Sequence, residues 1–116
     1  MKLPNILAID SSKQNEVKID IELSSDLEAF DGHFPGNPIL PGVVQIDWAV
    51  RFAAIHLRIV ELSGNNFQAK FRDIIRPDTP LCLTLQFNHS KNQVSFTYMS
   101  GGNIMSSGQL KMAAKT

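Results

Sequence analysis

One long apolar segment constrains the fold of this chain more than any other feature. Residues 41–62 are predicted to form a helix, because Pro41 suits a first helical turn and the polar residues 63–66 supply a stop. At about 100° per residue, a single charged stripe is predicted along it, formed by Asp47, Arg51, Arg58 and Glu61. Because most of its remaining surface is apolar, this helix has to be covered on most sides.

The segments before and after the helix have the patterns of strands. Residues 17–23 alternate between apolar and charged side chains, which is typical of a half-buried strand, and with residues 5–9 they predict a hairpin. Turn-rich breaks separate four further predicted strands, at 67–75, 81–88, 93–99 and 104–112. We therefore predict an α+β fold in which a curved antiparallel sheet of about six strands wraps a long central helix. The sheet edges would favour a dimer.

The composition narrows the class of protein. With 116 residues, of which 43% are apolar and 19% charged, the chain suits a single globular domain over residues 1–116. Its 11 basic and 11 acidic residues balance, so the net charge does not indicate nucleic-acid binding. The start of the chain lacks a signal-peptide pattern, and charges interrupt the longest apolar segment. The single cysteine, Cys82, gives no metal-ligand spacing. We expect a cytoplasmic protein that binds no metal, nucleic acid or membrane.

Two ionisable residues flank the point where a rigid loop meets the helix. The loop, GHFPGNPILPG, contains His33, which can take or give a proton near neutral pH. Asp47 follows 14 residues later, and burial in an apolar helix would favour its protonated form, whereas Arg51 one turn on would favour the charged form. Gly42 lies at the helix N-terminus, whose N–H groups suit an oxyanion. These residues alone allow either a catalytic pair or a structural His and a helix ion pair.

A longer stretch, FDGHFPGNPILPGVVQIDWA, resembles the active-site segment of the hot-dog-fold β-hydroxyacyl-ACP dehydratases, the type represented by FabZ and FabA in fatty acid synthesis. Those enzymes carry a GHFPG-x-P-x-x-PG loop and then Glu or Asp 14 residues after the His, on a central helix. The later run AKFRDIIRPDT is similar to the strand that follows this helix. The run PILPGVVQIDWAVRFA is similar to the short, ApeI-like dehydratases of aryl polyene pigment clusters. The resemblance covers most of the chain.

The resemblance implies a reaction and a role for each residue. The substrate would be a 3-hydroxyacyl thioester on the phosphopantetheine arm of an acyl carrier protein, and the product a trans-2-enoyl thioester, with no metal or organic cofactor. His33 would be the general base and Asp47 the general acid, while the Gly42 N–H would bind the thioester carbonyl. Phe34 could line the acyl tunnel or fill the core. Because the His and the acid of one site come from opposite protomers in this family, a homodimer or a higher oligomer of dimers would be required.

Some features depart from the pattern or leave alternatives open. The position of Arg51 is commonly Gln in the fatty-acid enzymes, so Arg51 could pair with Asp47 or reach a carrier-protein phosphate. The chain could instead be a hot-dog acyl-ACP or acyl-CoA thioesterase, or one subunit of a mixed dehydratase dimer. A basic rim would steer an acidic carrier protein, unless it is only a solvated strand face. This rim would be formed by Lys70, Arg72 and Arg76.

Overall fold

The computed structural model of this chain describes residues 2–31, 36–59 and 62–112. Within them, six strands form a single sheet whose paired neighbours are all antiparallel, in the order β1-β2-β4-β5-β6-β3. The elements are β1 (Ile6–Asp10), β2 (Glu16–Ile21), a one-turn 3-10 helix (Glu28–Phe30), α1 (Gly42–His56), β3 (Leu62–Phe71), β4 (Leu81–Asn88), β5 (Gln93–Ser100) and β6 (Asn103–Met112). The predicted α+β arrangement of one long helix and about six antiparallel strands is confirmed, and it is a hot-dog fold.

The core lies between α1 and one face of the sheet. Because side chains alternate across a strand, every second residue of β2, β4 and β5 points inward. The buried strand residues include Val17, Ile19, Ile21, Leu81, Leu83, Leu85, Val94, Phe96, Tyr98 and Leu110. From α1 the fully buried side chains are Trp48, Ala49, Phe52 and Ala53. Trp48 is therefore a core-packing residue.

The helix ends earlier than the sequence pattern predicts. Its last residue is His56, and the N–H of Leu57 donates to the Ala53 carbonyl at 2.9 Å. Arg58 then has a φ of 56°, a left-handed conformation that terminates helices and is most often filled by glycine. Because no glycine marks this turn, the apolar periodicity predicts a helix that continues to residue 62. Arg58 therefore lies beyond the helix, and Glu61 lies outside the described residues.

The strand after the helix is also displaced from its prediction. β3 begins at Leu62 rather than residue 67, with an irregular register between Leu62 and Phe67. It ends at Phe71, because the N–H groups of Arg72 and Asp73 both turn to the Met105 carbonyl. β3 and β1 are the two edges of the sheet, and β3 is the edge beside the site discussed below. No helix within the described residues is long and apolar enough to cross a membrane.

Candidate active site

The predicted site residues divide between described and undescribed parts of the chain. His33 and Phe34 lie outside the described residues, so the proposed base and tunnel residue remain predictions. Gly42, Asp47 and Arg51 all lie on α1, with Gly42 as its first residue. The helix therefore brings the expected oxyanion donor and the expected acid within about one and a half turns of each other.

The start of α1 presents main-chain N–H groups that the helix itself does not use. Pro41 is the N-cap, in an extended conformation, and its carbonyl accepts from the N–H groups of Val44 and Gln45, both at 3.1 Å. The N–H groups of Gly42 and Val43 precede the first helical hydrogen bond, so they have no acceptor within the helix. Together with the positive end of the helix dipole, they suit a negatively charged or polarised oxygen.

An apolar groove with a volume of about 460 Å³ opens at this helix start. It is lined by Ile39, Leu40, Gly42, Val43, Gln45, Ile46, Phe67, Phe71, Asp73, Ile74 and Ile75. The ring of Phe71 lies directly over Gly42, because a Cβ at position 42 would be 2.7 Å from the Phe71 Cζ. Among these lining residues Asp73 alone is charged. An apolar acyl chain could occupy such a groove and bring a polar group to the Gly42 N–H.

Asp47 forms an ion pair with Arg51 on the outer side of the helix. Arg51 Nη1 donates to Asp47 Oδ2 at 3.4 Å, and the two side chains are 40% and 49% exposed, respectively. The expectation of a buried Asp47 carboxyl is therefore wrong for the single chain, because its stripe of α1 faces away from the sheet. An exposed pair of this spacing stabilises a helix by only about 0.3–0.5 kcal/mol. Of the two alternatives for Arg51, the structure has the one that pairs with Asp47.

The surface around Asp47 is apolar although it is exposed. Val43 and Ile55 lie at four-residue spacings from Asp47 and Arg51 along the same stripe and are also exposed. Phe67 and Phe71 on the edge strand β3 are likewise exposed. Contiguous exposed apolar residues beside an unpaired strand edge are typical of a protein interface. Val43, Phe67 and Phe71 line one groove, and Asp47 lies one helical turn from Val43, at the border of a surface suited to contact with another subunit.

A buried hydrogen-bond network lies beneath the helix start. The Gln45 side chain donates from Nε2 to the Leu40 carbonyl at 3.0 Å and accepts at Oε1 from Ser106 Oγ at 2.6 Å. The Tyr98 hydroxyl donates to the main-chain carbonyl of Gln45 at 2.7 Å. The side-chain amide of Gln45 therefore satisfies a main-chain carbonyl. Burial, together with the negative charge of Asp47, raises the pKa of Tyr98 well above its ordinary value.

Sequence reasoning missed Ser106 and Tyr98 as parts of the site. Each occupies an inward position of a predicted strand, and a polar group there has to find a partner inside the core. Of the residues expected to form a basic rim, Arg76 donates to the Asn37 side chain. Lys70 and Arg72 instead line a polar depression with a volume of about 520 Å³.

The sequence of this chain matches that of a known protein family. A sequence model of ApeI-like dehydratases, described as ApeI dehydratase, matches residues 9–109. This chain belongs to the ApeI-like dehydratase family. The match includes the whole of the loop and helix that carry His33, Gly42 and Asp47, so the resemblance drawn from those residues is confirmed at the level of the family.

Similar proteins of solved structure or curated sequence are also named as dehydratases. The structure of the dehydratase heterocomplex ApeI:P from Xenorhabdus doucetiae superposes with a TM-score of 0.88 at 30% identity, covering 97% of this chain and 100% of that one. The 3-hydroxyacyl-[acyl-carrier-protein] dehydratase FabZ of Ligilactobacillus salivarius is 35% identical over 74 residues, 58% of this chain and 53% of the relative. FabZ of Erythrobacter litoralis is 37% identical over 76 residues, 58% of this chain and 50% of the relative. The chain thus spans about half the length of these curated relatives.

Proposed function

We propose that this protein removes water from 3-hydroxyacyl thioesters carried by an acyl carrier protein and forms trans-2-enoyl thioesters. One observation carries the proposal: the N–H of Gly42 opens on an apolar groove at the start of the helix that presents Asp47. The names of the FabZ relatives support the substrate class. Base, acid and oxyanion donor would all be protein groups, so the proposed reaction needs no metal or organic cofactor. The cytoplasmic location expected from the sequence is part of the proposal.

The proposed steps balance as a loss of water. His33 takes the proton from C2, and the charge that develops on the thioester oxygen is stabilised by the Gly42 N–H. The C3–O bond then breaks, and Asp47 gives its proton to the departing hydroxyl. The two side chains return to their starting states by proton exchange with water. A single oxyanion donor of this kind is worth about a 100- to 1,000-fold effect on kcat.

We also propose that a second subunit completes the site. In the single chain Asp47 is exposed on an apolar surface beside the free edge of β3, whereas a general acid works best where water is excluded. A subunit lying over Val43, Phe67 and Phe71 would cover this surface and pair the edge strand. A second copy of this chain would suffice, and the heterocomplex named for the Xenorhabdus doucetiae relative supports a mixed dimer as well.

Mass spectrometry of a 3-hydroxyacyl carrier protein after incubation with the purified protein tests the activity. Loss of one water from the intact acyl carrier protein is the expected result. Release of free carrier protein would instead identify a thioesterase, and turnover that begins only when a second subunit is added would identify a mixed dimer. An unchanged substrate in both preparations would refute the proposal.

Three variants test the assigned roles. His33→Ala and Asp47→Asn should each abolish water loss while the protein keeps its oligomeric state and its circular dichroism spectrum. Asp73→Asn is the matched control, because Asp73 is the one charged residue that lines the groove itself, and its Oδ1 already accepts the N–H of Ile74 at 2.8 Å. If Asp73→Asn lost as much activity as Asp47→Asn, the assignment of the acid would be wrong.

A further inference from the structure

Gln45 of α1, which is not one of the proposed catalytic residues, is anchored to several parts of the fold. This residue is 3% exposed and is held at three points, each on a different part of the fold. Its side chain bonds to the Leu40 carbonyl and to Ser106 of β6, and its main-chain carbonyl accepts from Tyr98 of β5. Two adjacent strands of the sheet are therefore tied directly to the first turn of the helix.

Leu40, two residues before the helix begins, is also held by hydrogen bonds. Its N–H donates to the Ile75 carbonyl at 2.8 Å, and its carbonyl accepts from Gln45 Nε2 at 3.0 Å. Gly42 lies between these two anchors and has no side chain of its own to restrict it. The main chain on either side of Gly42 is therefore held by the hydrogen bonds of Leu40 and Gln45.

Apolar side chains in place of Gln45, Ser106 and Tyr98 could fill this part of the core without any polar network. Ser106 and Tyr98 are fully buried, and buried polar groups stabilise a fold less reliably than well-packed apolar ones unless every partner is in place. What such a network adds is a single defined geometry. Here that geometry is imposed on the six residues from Leu40 to Gln45, which contain the expected oxyanion donor and end two residues before Asp47.

We propose that Gln45, held by Ser106 and Tyr98, is a positioning residue that orients the Gly42 N–H and sets the place of Asp47. This role rests on the proposed dehydration. The network does not touch the reacting atoms, and it acts through the segment from Leu40 to Gln45. A displacement of a catalytic group by about 1 Å can cost about 100-fold in rate. Loss of the network should therefore lower kcat more than it raises KM.

The test compares Ser106→Ala and the double variant Gln45→Leu/Ser106→Ala with a matched control, Ser107→Ala. Ser107 is the next residue of β6 but lies on the opposite face of the sheet, outside the network. We expect kcat to fall about 10- to 100-fold in the double variant, with KM within about threefold of the wild type. Ser106→Ala should show a smaller loss of kcat, and Ser107→Ala none.

Amide hydrogen exchange, followed by NMR, supplies a readout that does not require turnover. The N–H groups of Val44 and Gln45, which donate to the Pro41 carbonyl, should exchange faster in both network variants, whereas the core amide of Leu83 should not change. Unchanged exchange at Val44 and Gln45 would overturn the proposal, and so would faster exchange with full kcat. If the wild type itself does not turn over, the proposed function fails, and the exchange comparison still decides whether the network fixes this segment.

Discussion

Replacing Gly42 by alanine separates the role of the helix start in the reaction from its role in the fold. An added Cβ would lie 2.7 Å from Cζ of Phe71 and 3.0 Å from its Cε1. The shorter distance is about 0.8 Å below the separation at which two carbon atoms attract each other best. The obstacle is the far end of a side chain that is 51% exposed, so the ring can move while the backbone stays in place.

The structural cost of Gly42→Ala should be small. Alanine is favoured over glycine in a helix by at most about 1 kcal/mol, which opposes the cost of moving the ring. The net change in the free energy of unfolding should stay within about 1 kcal/mol, which corresponds to a shift in Tm of about 5 °C or less. The displaced ring, however, would enter the groove in front of the Gly42 N–H. We expect kcat/KM to fall about 10- to 100-fold, as for other misplacements near 1 Å.

The assay is the rate of water loss from a 3-hydroxyacyl carrier protein, measured with Tm on the same preparations. The double variant Gly42→Ala/Phe71→Leu should regain part of the lost activity, because leucine removes the ring atoms that meet the new Cβ. Phe71→Leu alone gives the contribution of the ring. Wild-type kcat/KM in Gly42→Ala would refute the steric reasoning, and so would an activity loss that only accompanies unfolding.

Three further predictions test the fold, the buried network and the interface. Gly108→Ala should destabilise the protein by about 3 kcal/mol, because the new Cβ would lie 2.1 Å from a main-chain oxygen of β3. In the control Gly102→Ala the new Cβ meets nothing within 4 Å, so the urea midpoint should not change. Burial raises the pKa of Tyr98, so the unfolded chain loses the phenolic proton at a lower pH than the folded protein does. The contribution of Tyr98 to the free energy of unfolding should therefore be fully present below about pH 10 and fall as the pH rises further. Because Tyr98 is the single tyrosine, its tyrosinate absorbance should appear only together with unfolding, and its appearance in the folded protein would contradict the network. Val43→Glu should yield monomers in light scattering, whereas Leu7→Glu, on the opposite edge strand, should not; equal behaviour of the two variants would argue against the proposed interface.

The architecture was predictable because two periodicities are strong in this sequence. The alternation through residues 17–23 and the turn-rich breaks in the second half set the strands, and β4 has the predicted bounds. The errors fall where local conformation overrides periodicity. Arg58 adopts a left-handed conformation without being glycine, which ended the helix at His56 rather than at residue 62. No composition signal marks such a residue.

The placement of two expected site residues on one helix was predictable, but their environment was not. Motif spacing placed Gly42 and Asp47 on one helix, and the structure has both there. Whether Asp47 is buried depends on which side of α1 the sheet covers, and the helix pattern could not decide this because both sides of the stripe are apolar. The network of Gln45 was hidden for a related reason, since pairing Ser106 with Gln45 requires the register of β6 over a separation of 61 residues.

The exposure of Asp47 and the anchoring of Gln45 indicate that the two sides of the helix start are held in place in different ways. The inner side of the helix start is fixed by bonds within one chain, so the direction of the Gly42 N–H does not depend on a partner. The outer side, with Asp47 and Arg51, is half exposed in the single chain and borders the free edge of β3. Removing water from this pair would strengthen the attraction of Arg51, which favours the charged carboxyl, while the desolvation itself would favour the protonated form. A partner subunit is therefore expected to control the acid far more than the oxyanion donor, whether that partner is a second copy of the chain or a different subunit.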